Sequence, residues 1–203
     1  MIIGSGENDE VRGLENKMKL PILVLCFCAL ALFGCGQVDL GWSEEVQLSS
    51  GKVIVVKRAA KGEKIGEIGG PGGWEQKEMS VEIDAKDSEI FNPPVWRTAY
   101  VPVLLDYDAS RKEWLIVATL YTCQGWYDLG RPKLPYVEYR VANDGTWQVT
   151  PLDTDLIGRK ANMLTGVRSG GEPPLVTRKD KAERDSEAAK KYQEVVGHWQ
   201  SNC

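Results

Sequence analysis

The chain has 203 residues, of which 42% are hydrophobic, 27% are charged and 8% are aromatic. This composition is typical of a folded domain, and the 7 Trp and 7 Tyr are too many for a disordered chain. The net charge of −4 argues against a nucleic-acid-binding protein, which usually carries a basic excess. A single histidine, His198, excludes a metal site built from several histidines. We therefore expect no metal ion, no cofactor and no nucleic-acid partner.

The N-terminal region has the charge and hydropathy pattern of a secretory signal peptide. Two basic residues, Lys17 and Lys19, precede an uncharged run of 14 residues from Leu20 to Phe33. That length fits the roughly 7–15 residues of a signal h-region and is short of the roughly 20 that a membrane-spanning helix needs. The run leads into a Leu-Phe-Gly-Cys sequence at positions 32–35.

The Leu32-Phe33-Gly34-Cys35 sequence resembles the lipobox of bacterial lipoproteins, with a small Gly directly before the cysteine. The resemblance implies that Cys35 is acylated and becomes the mature N-terminus, which anchors the protein in a membrane. It also implies an outer-membrane location facing the periplasm, because Gly36 stands where an Asp would favour retention at the inner membrane. Attachment to the periplasmic face of the inner membrane is the alternative.

The chain divides into four parts on this interpretation. Residues 1–17 carry acids where a signal peptide needs bases, so we expect them to be an extension upstream of the true start, with a genuine long n-region as the alternative. Residues 18–34 are the expected signal peptide, and residues 35–43 are the lipidated cysteine and a polar tether. Residues 44–203 are expected to form a single globular domain.

The remaining cysteines predict a disulfide bond. Once the signal peptide is removed and Cys35 is acylated, only Cys123 and Cys203 are left, an even pair in an oxidising compartment. Two free thiols are the alternative. We expect the pair to be oxidised and to stabilise the fold by restricting the unfolded chain.

Runs of apolar residues predict about seven β-strands. Pro102 places one strand at a sheet edge or at a bulge, and the nearly all-apolar run at 114–121 is typical of a strand covered on both faces. Asn143-Asp144-Gly145 is the strongest hairpin signal in the chain, and the Gly-rich stretch at 62–73 predicts a loop. The expected strands are 46–48, 53–56, 79–83, 100–107, 114–121, 135–142 and 146–150.

Two helices are predicted in the last third of the chain. Asp153 can cap a short helix over 156–164. The stretch 180–199 has apolar residues at spacings of three and four, which predicts an amphipathic helix that carries Cys203 toward Cys123. The predicted class is α+β, a mainly antiparallel β-sheet with the C-terminal helix packed on it.

The best candidate for a binding surface is the loop beside Cys123. It combines adjacent aromatic residues with basic ones in a segment punctuated by Gly and Pro, and such residues are enriched at binding hot spots. Inward packing of the aromatic side chains under the loop is the alternative interpretation. The candidate binding residues are Trp126, Tyr127, Arg131, Lys133 and Tyr136.

The leading functional hypothesis is a non-enzymatic role in the cell envelope, binding a partner protein or a wall glycan. No residue is assigned a catalytic role on this hypothesis. The alternative is a hydrolase that modifies the cell wall with a carboxylate pair, for which Asp106 and Asp108 are the candidates. Such an enzyme needs both carboxylates across a cleft, whereas a binding protein needs only a rigid aromatic platform.

Overall fold

The computed structural model describes residues 36–66, 72–85, 90–120, 122–142, 145–184, 192–199 and 203. The expected upstream extension, the signal peptide and the lipobox through Cys35 lie outside these residues. Residues Gln37–Cys203 form one compact unit. Its first strand already begins at Gln37, so residues 37–43 are part of the sheet and are not the tether that the sequence predicted.

The described residues contain nine strands, two short helices and one 3-10 turn. The helices are α1 (Cys123–Asp128) and α2 (Arg178–Ala182), and the 3-10 turn is Thr154–Leu156. The strands are β1 (Gln37–Gln47), β2 (Val53–Ile65), β3 (Gly73–Ile83), β4 (Trp96–Thr98), β5 (Val101–Asp108), β6 (Glu113–Thr119), β7 (Tyr136–Ala142), β8 (Gln148–Thr150) and β9 (Leu175–Val176).

The strands form two sheets, which confirms the mainly antiparallel α+β class with nine strands in place of the expected seven. The first sheet has the order β4-β3-β2-β1-β9, and the second has the order β5-β6-β7-β8. Neighbouring strands are antiparallel, apart from the parallel pair of β1 and β9. Pro102 lies on the edge strand β5, where the register shifts between Pro102 and Leu104, so both features predicted for this residue are present.

The main hydrophobic core takes side chains from both sheets and therefore lies between them. Alternation along β1 buries Trp42 and Val46 on the inner face, and the second sheet contributes Trp114 and Ile116. The opposite face of the second sheet is also covered. There Leu104 and Val117 pack with residues of the 3-10 turn and of the C-terminal segment 192–199. Strand β6 is thus covered on both faces, as its apolar sequence predicted.

A buried ionic cluster fastens α2 to the first sheet. The side chains of Glu44 and Arg58 are fully buried, with Oε2 of Glu44 2.6 Å from Nη1 of Arg58. The other carboxylate oxygen, Oε1, accepts hydrogen bonds from the amide of Leu164 at 2.5 Å and from Nζ of Lys181 at 3.0 Å. Burial lowers the pKa of Lys181, against the opposing effect of Glu44. These bonds satisfy charges that would otherwise be costly in the interior.

The two helices predicted in the last third of the chain, over 156–164 and 180–199, do not have the predicted extent where the structure describes them. Asp153 caps a single 3-10 turn through its bond with the Asp155 amide, but the chain is extended again at Ile157. Helix α2 ends at Ala182, and residues 192–199 are not helical. Their backbone pairs instead with residues 158–161, through Gly158 N–H to Val195 O and Val195 N–H to Arg159 O. These cross-chain bonds replace the i to i−4 bonds that a helix would need.

Candidate functional site

Helix α1 presents the aromatic residues of the candidate loop. The side chain of Thr122 caps its first turn by accepting a hydrogen bond from the Gly125 amide at 3.2 Å. Its C-terminus closes with two bonds of a Schellman motif, from Gly130 N–H to Tyr127 O and from Arg131 N–H to Trp126 O, each 2.9 Å. Gly130 supplies the positive φ of 73° that this motif requires. One turn of helix is therefore fixed at both ends.

Arg131 also adopts the left-handed conformation, with a φ of 61°, which is unusual for a residue with a Cβ. Its guanidinium carbon lies 5.2 Å from the ring centre of Tyr127 and 5.9 Å from that of Trp126. These are cation–π distances, and they hold the charged group over both rings. The backbone strain and the two aromatic rings together give the guanidinium a defined position.

The C-terminal segment forms the wall opposite α1. The ring of Trp199 meets that of Trp126 edge to face, with centroids 6.2 Å apart and planes at 63°. The segment is held in place by its backbone pairing with residues 158–161, including Ala161 N–H to Gln193 O at 2.8 Å. Trp199 is therefore displayed from a fixed backbone, although that backbone is irregular.

Tyr136 lies in β7 and is 7% exposed, so the structure corrects its assignment as a surface binding residue. Its hydroxyl donates to the carbonyl of Glu194 at 3.3 Å and accepts from the amide of Val196 at 3.2 Å. Burial raises the pKa of this hydroxyl. Tyr136 thus supports the wall that carries His198 and Trp199 and does not itself line the site.

A disulfide bond joins the first residue of α1, Cys123, to Cys203. The sulfur atoms of Cys123 and Cys203 are 2.17 Å apart and their Cα atoms 5.4 Å apart, as the sequence predicted for this pair. Nearby, the hydroxyl of Tyr127 donates to the backbone oxygen of Cys203 at 2.9 Å. Two independent links, a disulfide bond and a hydrogen bond, therefore join α1 to Cys203.

Between these two walls lies an open groove of about 630 Å³, here named the tryptophan groove. Three of the five candidate binding residues line it, and Tyr127 lies beside it with 42% of its surface exposed. Among the described residues, no Asp or Glu lines the groove. Its lining is Trp126, Arg131, Lys133, Leu134, His198 and Trp199, with Pro132 and Gly197.

His198 and Trp199 were not predicted to line the site, because the sequence pattern places both on the predicted helix over 180–199. The cysteine pairing contains a signal that could have found them. Trp126 follows Cys123 by three residues and Trp199 precedes Cys203 by four, so a bond between the two cysteines brings both tryptophans to one place. The alternative of inward packing holds in part for Trp126, which is half-buried and donates Nε1–H to the Pro132 carbonyl at 3.1 Å.

The two carboxylates of the hydrolase hypothesis have structural partners. Asp106 is buried, accepts from the Ser49 amide at 2.9 Å and pairs with Nη2 of Arg159 at 2.6 Å. The hydroxyl and amide of Ser110 and the amide of Arg111 donate to Asp108, which holds its pKa below the usual value. Neither carboxylate lines the tryptophan groove. Asp106 is thus held by the Ser49 amide and Arg159, and Asp108 by hydrogen bonds within its own turn.

The described residues contain no group of three or more His, Cys, Asp or Glu side chains arranged to hold a metal ion. Within the same residues, no helix has the length and apolar character needed to cross a lipid bilayer. In comparisons with known proteins, no family model, no curated protein and no solved structure matched the chain.

Proposed function

We propose that this protein is a lipid-anchored lipoprotein of the bacterial cell envelope, located at the outer membrane and facing the periplasm, whose domain binds a cell-wall glycan in the tryptophan groove. The lipobox at positions 32–35 supports the anchor. The oxidised pair of Cys123 and Cys203 fits an envelope location, because disulfides persist in oxidising compartments.

The observation that carries the binding proposal is the pair of tryptophan rings, one from each wall, that meet edge to face and together line one groove. The apolar faces of sugar rings pack against aromatic side chains, while sugar hydroxyls need donors and acceptors close by. Trp126 and Trp199 offer the first, and Arg131, Lys133 and His198 offer the second. The rings and their supports are also fixed in advance by the disulfide and the Schellman motif, which lowers the ordering cost of binding.

The size of the groove favours a glycan segment over a partner protein. Its volume of about 630 Å³ falls within the roughly 300–1,000 Å³ of small-ligand sites. A stable protein partner usually covers about 800 Å² of each surface. A short stretch of saccharide fills the groove without needing contacts beyond it.

Co-sedimentation with purified peptidoglycan tests the binding proposal on the full, detergent-solubilised lipoprotein. We expect the protein to pellet with the glycan and the Trp199→Ala variant to remain in the supernatant. Trp147→Ala is the matched control, because Trp147 is also partly exposed but donates to the Pro94 carbonyl away from the groove. Failure of the native protein to pellet would refute glycan binding, and equal pelleting of both Trp variants would refute the groove as its site.

Labelling with a fatty-acid analogue tests the anchor. The native protein should incorporate the label and the Cys35→Ala variant should not. Unchanged incorporation in that variant would overturn the lipoprotein assignment.

Density-gradient separation of the two membranes tests the location. Gly36→Asp is expected to shift the protein from the outer to the inner membrane. Native protein found in the inner membrane would contradict the proposed sorting.

A further inference from the structure

We propose that the tryptophan groove selects glycan segments that carry negative charge, as carboxylate or phosphate groups, over neutral ones. This inference rests on the glycan binding proposed above and names the class of glycan. It follows from the charges at the groove, from the way they are held, and from a comparison with the other basic residues of the molecule.

The groove is positively charged on a protein that is acidic overall. Arg131, Lys133 and His198 line it, and no Asp or Glu of the described residues does. The whole chain, in contrast, has 25 Lys and Arg against 29 Asp and Glu. The absence of Asp and Glu from the described lining leaves these basic groups without an opposing charge in the groove.

Many other basic side chains of the described residues already have carboxylate partners. These pairs include a buried one in the first sheet and exposed ones along its strands. Arg131 and Lys133 form no ion pair with a carboxylate of the described residues, so their charges remain available to a ligand. The paired examples are Lys57 with Glu82, Arg58 with Glu44, Lys77 with Glu75, Arg159 with Asp106, and Arg184 with Glu172.

Arg131 is held ready for an anion. Its guanidinium lies over the Tyr127 and Trp126 rings, at 5.2 and 5.9 Å, and a guanidinium carries its N–H donors along its edge. Those edge donors match the two oxygens of a carboxylate or phosphate in a bidentate pair. The residue keeps this position at the cost of a left-handed backbone with a φ of 61°. Backbone strain of this kind is concentrated at binding sites.

Lys133 and His198 extend the basic lining along the groove from its two walls. Lys133 follows Arg131 by two residues on the α1 side, and His198 precedes Trp199 on the opposite side. An acidic saccharide lying along the groove therefore meets a cationic or hydrogen-bonding group from each wall. A neutral saccharide gains the aromatic contacts and hydrogen bonds from these side chains, but not the added attraction between a cationic donor and an anionic acceptor.

The test compares saccharides that differ only in charge. The full lipoprotein in detergent is titrated with oligogalacturonate and with its methyl ester, and tryptophan fluorescence reports binding. Dextran phosphate and plain dextran form the second pair, which distinguishes a phosphate preference from a carboxylate preference. We expect at least one charged member to bind about tenfold more tightly than its neutral partner, a preference worth one charge-assisted hydrogen bond.

Variants assign the preference to the groove. Arg131→Gln and Lys133→Gln should each reduce the affinity for the charged saccharide several-fold more than the affinity for the neutral one. Lys179→Gln is the matched control, because Lys179 is 82% exposed on α2 and pairs with Glu183 at 3.8 Å. It should change neither affinity.

The outcomes separate this inference from the function on which it rests. Equal affinity for charged and neutral saccharides, with both lost in Trp199→Ala, would overturn the charge preference and leave glycan binding intact. Binding of no saccharide would overturn both. Oligoglutamate binding as tightly as the charged saccharide would show recognition of charge alone, and would also overturn the inference of an acidic glycan.

Discussion

Replacing Arg131 by Gly and by Ala separates its structural cost from its role in binding. Arg131 has a φ of 61°, and its guanidinium contacts two aromatic rings. Glycine adopts positive φ without steric cost, whereas alanine retains the Cβ that makes this conformation unfavourable. We therefore expect Arg131→Gly to be more stable than Arg131→Ala, the reverse of the usual order for these two residues.

The size of the difference follows from three contributions. The left-handed conformation costs a residue with a Cβ about 1–2 kcal/mol. Arg131→Gly gains stability by removing this cost, but the greater freedom of glycine in the unfolded chain takes away about 0.5–1 kcal/mol of the gain. Both variants also lose the cation–π contacts, worth about 0.5–1 kcal/mol at an exposed site. Arg131→Gly should thus lie close to the native free energy of unfolding, and Arg131→Ala about 0.5–1 kcal/mol below it.

Urea unfolding followed by tryptophan fluorescence measures these differences, and thermal unfolding should show them as about 2–4 °C per kcal/mol. Lys112 provides the control, because it also has a positive φ, of 55°, and lies in the exposed β5–β6 turn away from the groove. Lys112→Gly should likewise be more stable than Lys112→Ala. The affinity for a charged saccharide should fall several-fold in both Arg131 variants and stay unchanged in both Lys112 variants.

An Arg131→Ala variant that is as stable as Arg131→Gly would refute the argument from backbone strain. An unchanged affinity for the charged saccharide in Arg131→Gly would refute the role of the guanidinium, even if the stabilities follow the expected order. The two measurements therefore test the conformational argument and the binding argument separately.

The other predictions concern the links that hold the domain together. Cys203→Ser should lower the free energy of unfolding by roughly 4 kcal/mol, as expected for a bond across 80 residues, and abolish glycan binding, measured by urea unfolding and co-sedimentation. Glu44→Gln should cost about 3–5 kcal/mol because it leaves Arg58 buried without its full counter-charge, whereas the exposed Glu82→Gln should cost less than about 1 kcal/mol in the same assay. Burial raises the pKa of Tyr139 to about 12. The unfolded chain therefore loses this proton at a lower pH than the folded protein does, and the free energy of unfolding should fall between pH 10 and pH 12. In a series of urea titrations at alkaline pH, Tyr139→Phe should make this fall smaller.

Strands whose pattern reflects burial could be predicted from the sequence. The paired strands β7 and β8 flank the Asn-Asp-Gly turn signal, and β5 and β6 were found within one or two residues of their ends. In these segments, local turn chemistry and apolar patterning both point to the structure that forms. The disulfide could be predicted too, by elimination among five cysteines.

The polar halves of β1, β2 and β3 could not be predicted in the same way. The sequence indicated only short strands at 46–48, 53–56 and 79–83, and a loop across 62–73. In the structure, Gln37 of β1 pairs with Glu63 of β2, and Glu63 also pairs with Glu75 of β3. Side chains alternate between exposed and half-buried there, so the strands extend through backbone hydrogen bonds more than through burial. Hydrophobic periodicity does not report such pairing.

Only the wall of the tryptophan groove formed by α1 and the residues after it could be predicted from the sequence. Trp126, Arg131 and Lys133 are close in sequence, and their types alone indicated a binding loop. His198 and Trp199 reach the same groove because a distant segment pairs with residues 158–161 and because Tyr136 hydrogen-bonds to that segment. These long-range contacts override the local helical pattern, and a single sequence does not encode them in any periodicity.

Crosslinking in living cells tests the central claim most directly. A photoreactive amino acid in place of His198 lies in the tryptophan groove, and the same amino acid in place of Lys179 lies outside it. On irradiation, we expect the protein with the probe at position 198 to become linked to cell-wall material that is released by glycan-cleaving enzymes, and the protein with the probe at 179 to remain unlinked. Linkage at position 198 to a protein alone, or equal linkage from both positions, would contradict glycan binding in the groove.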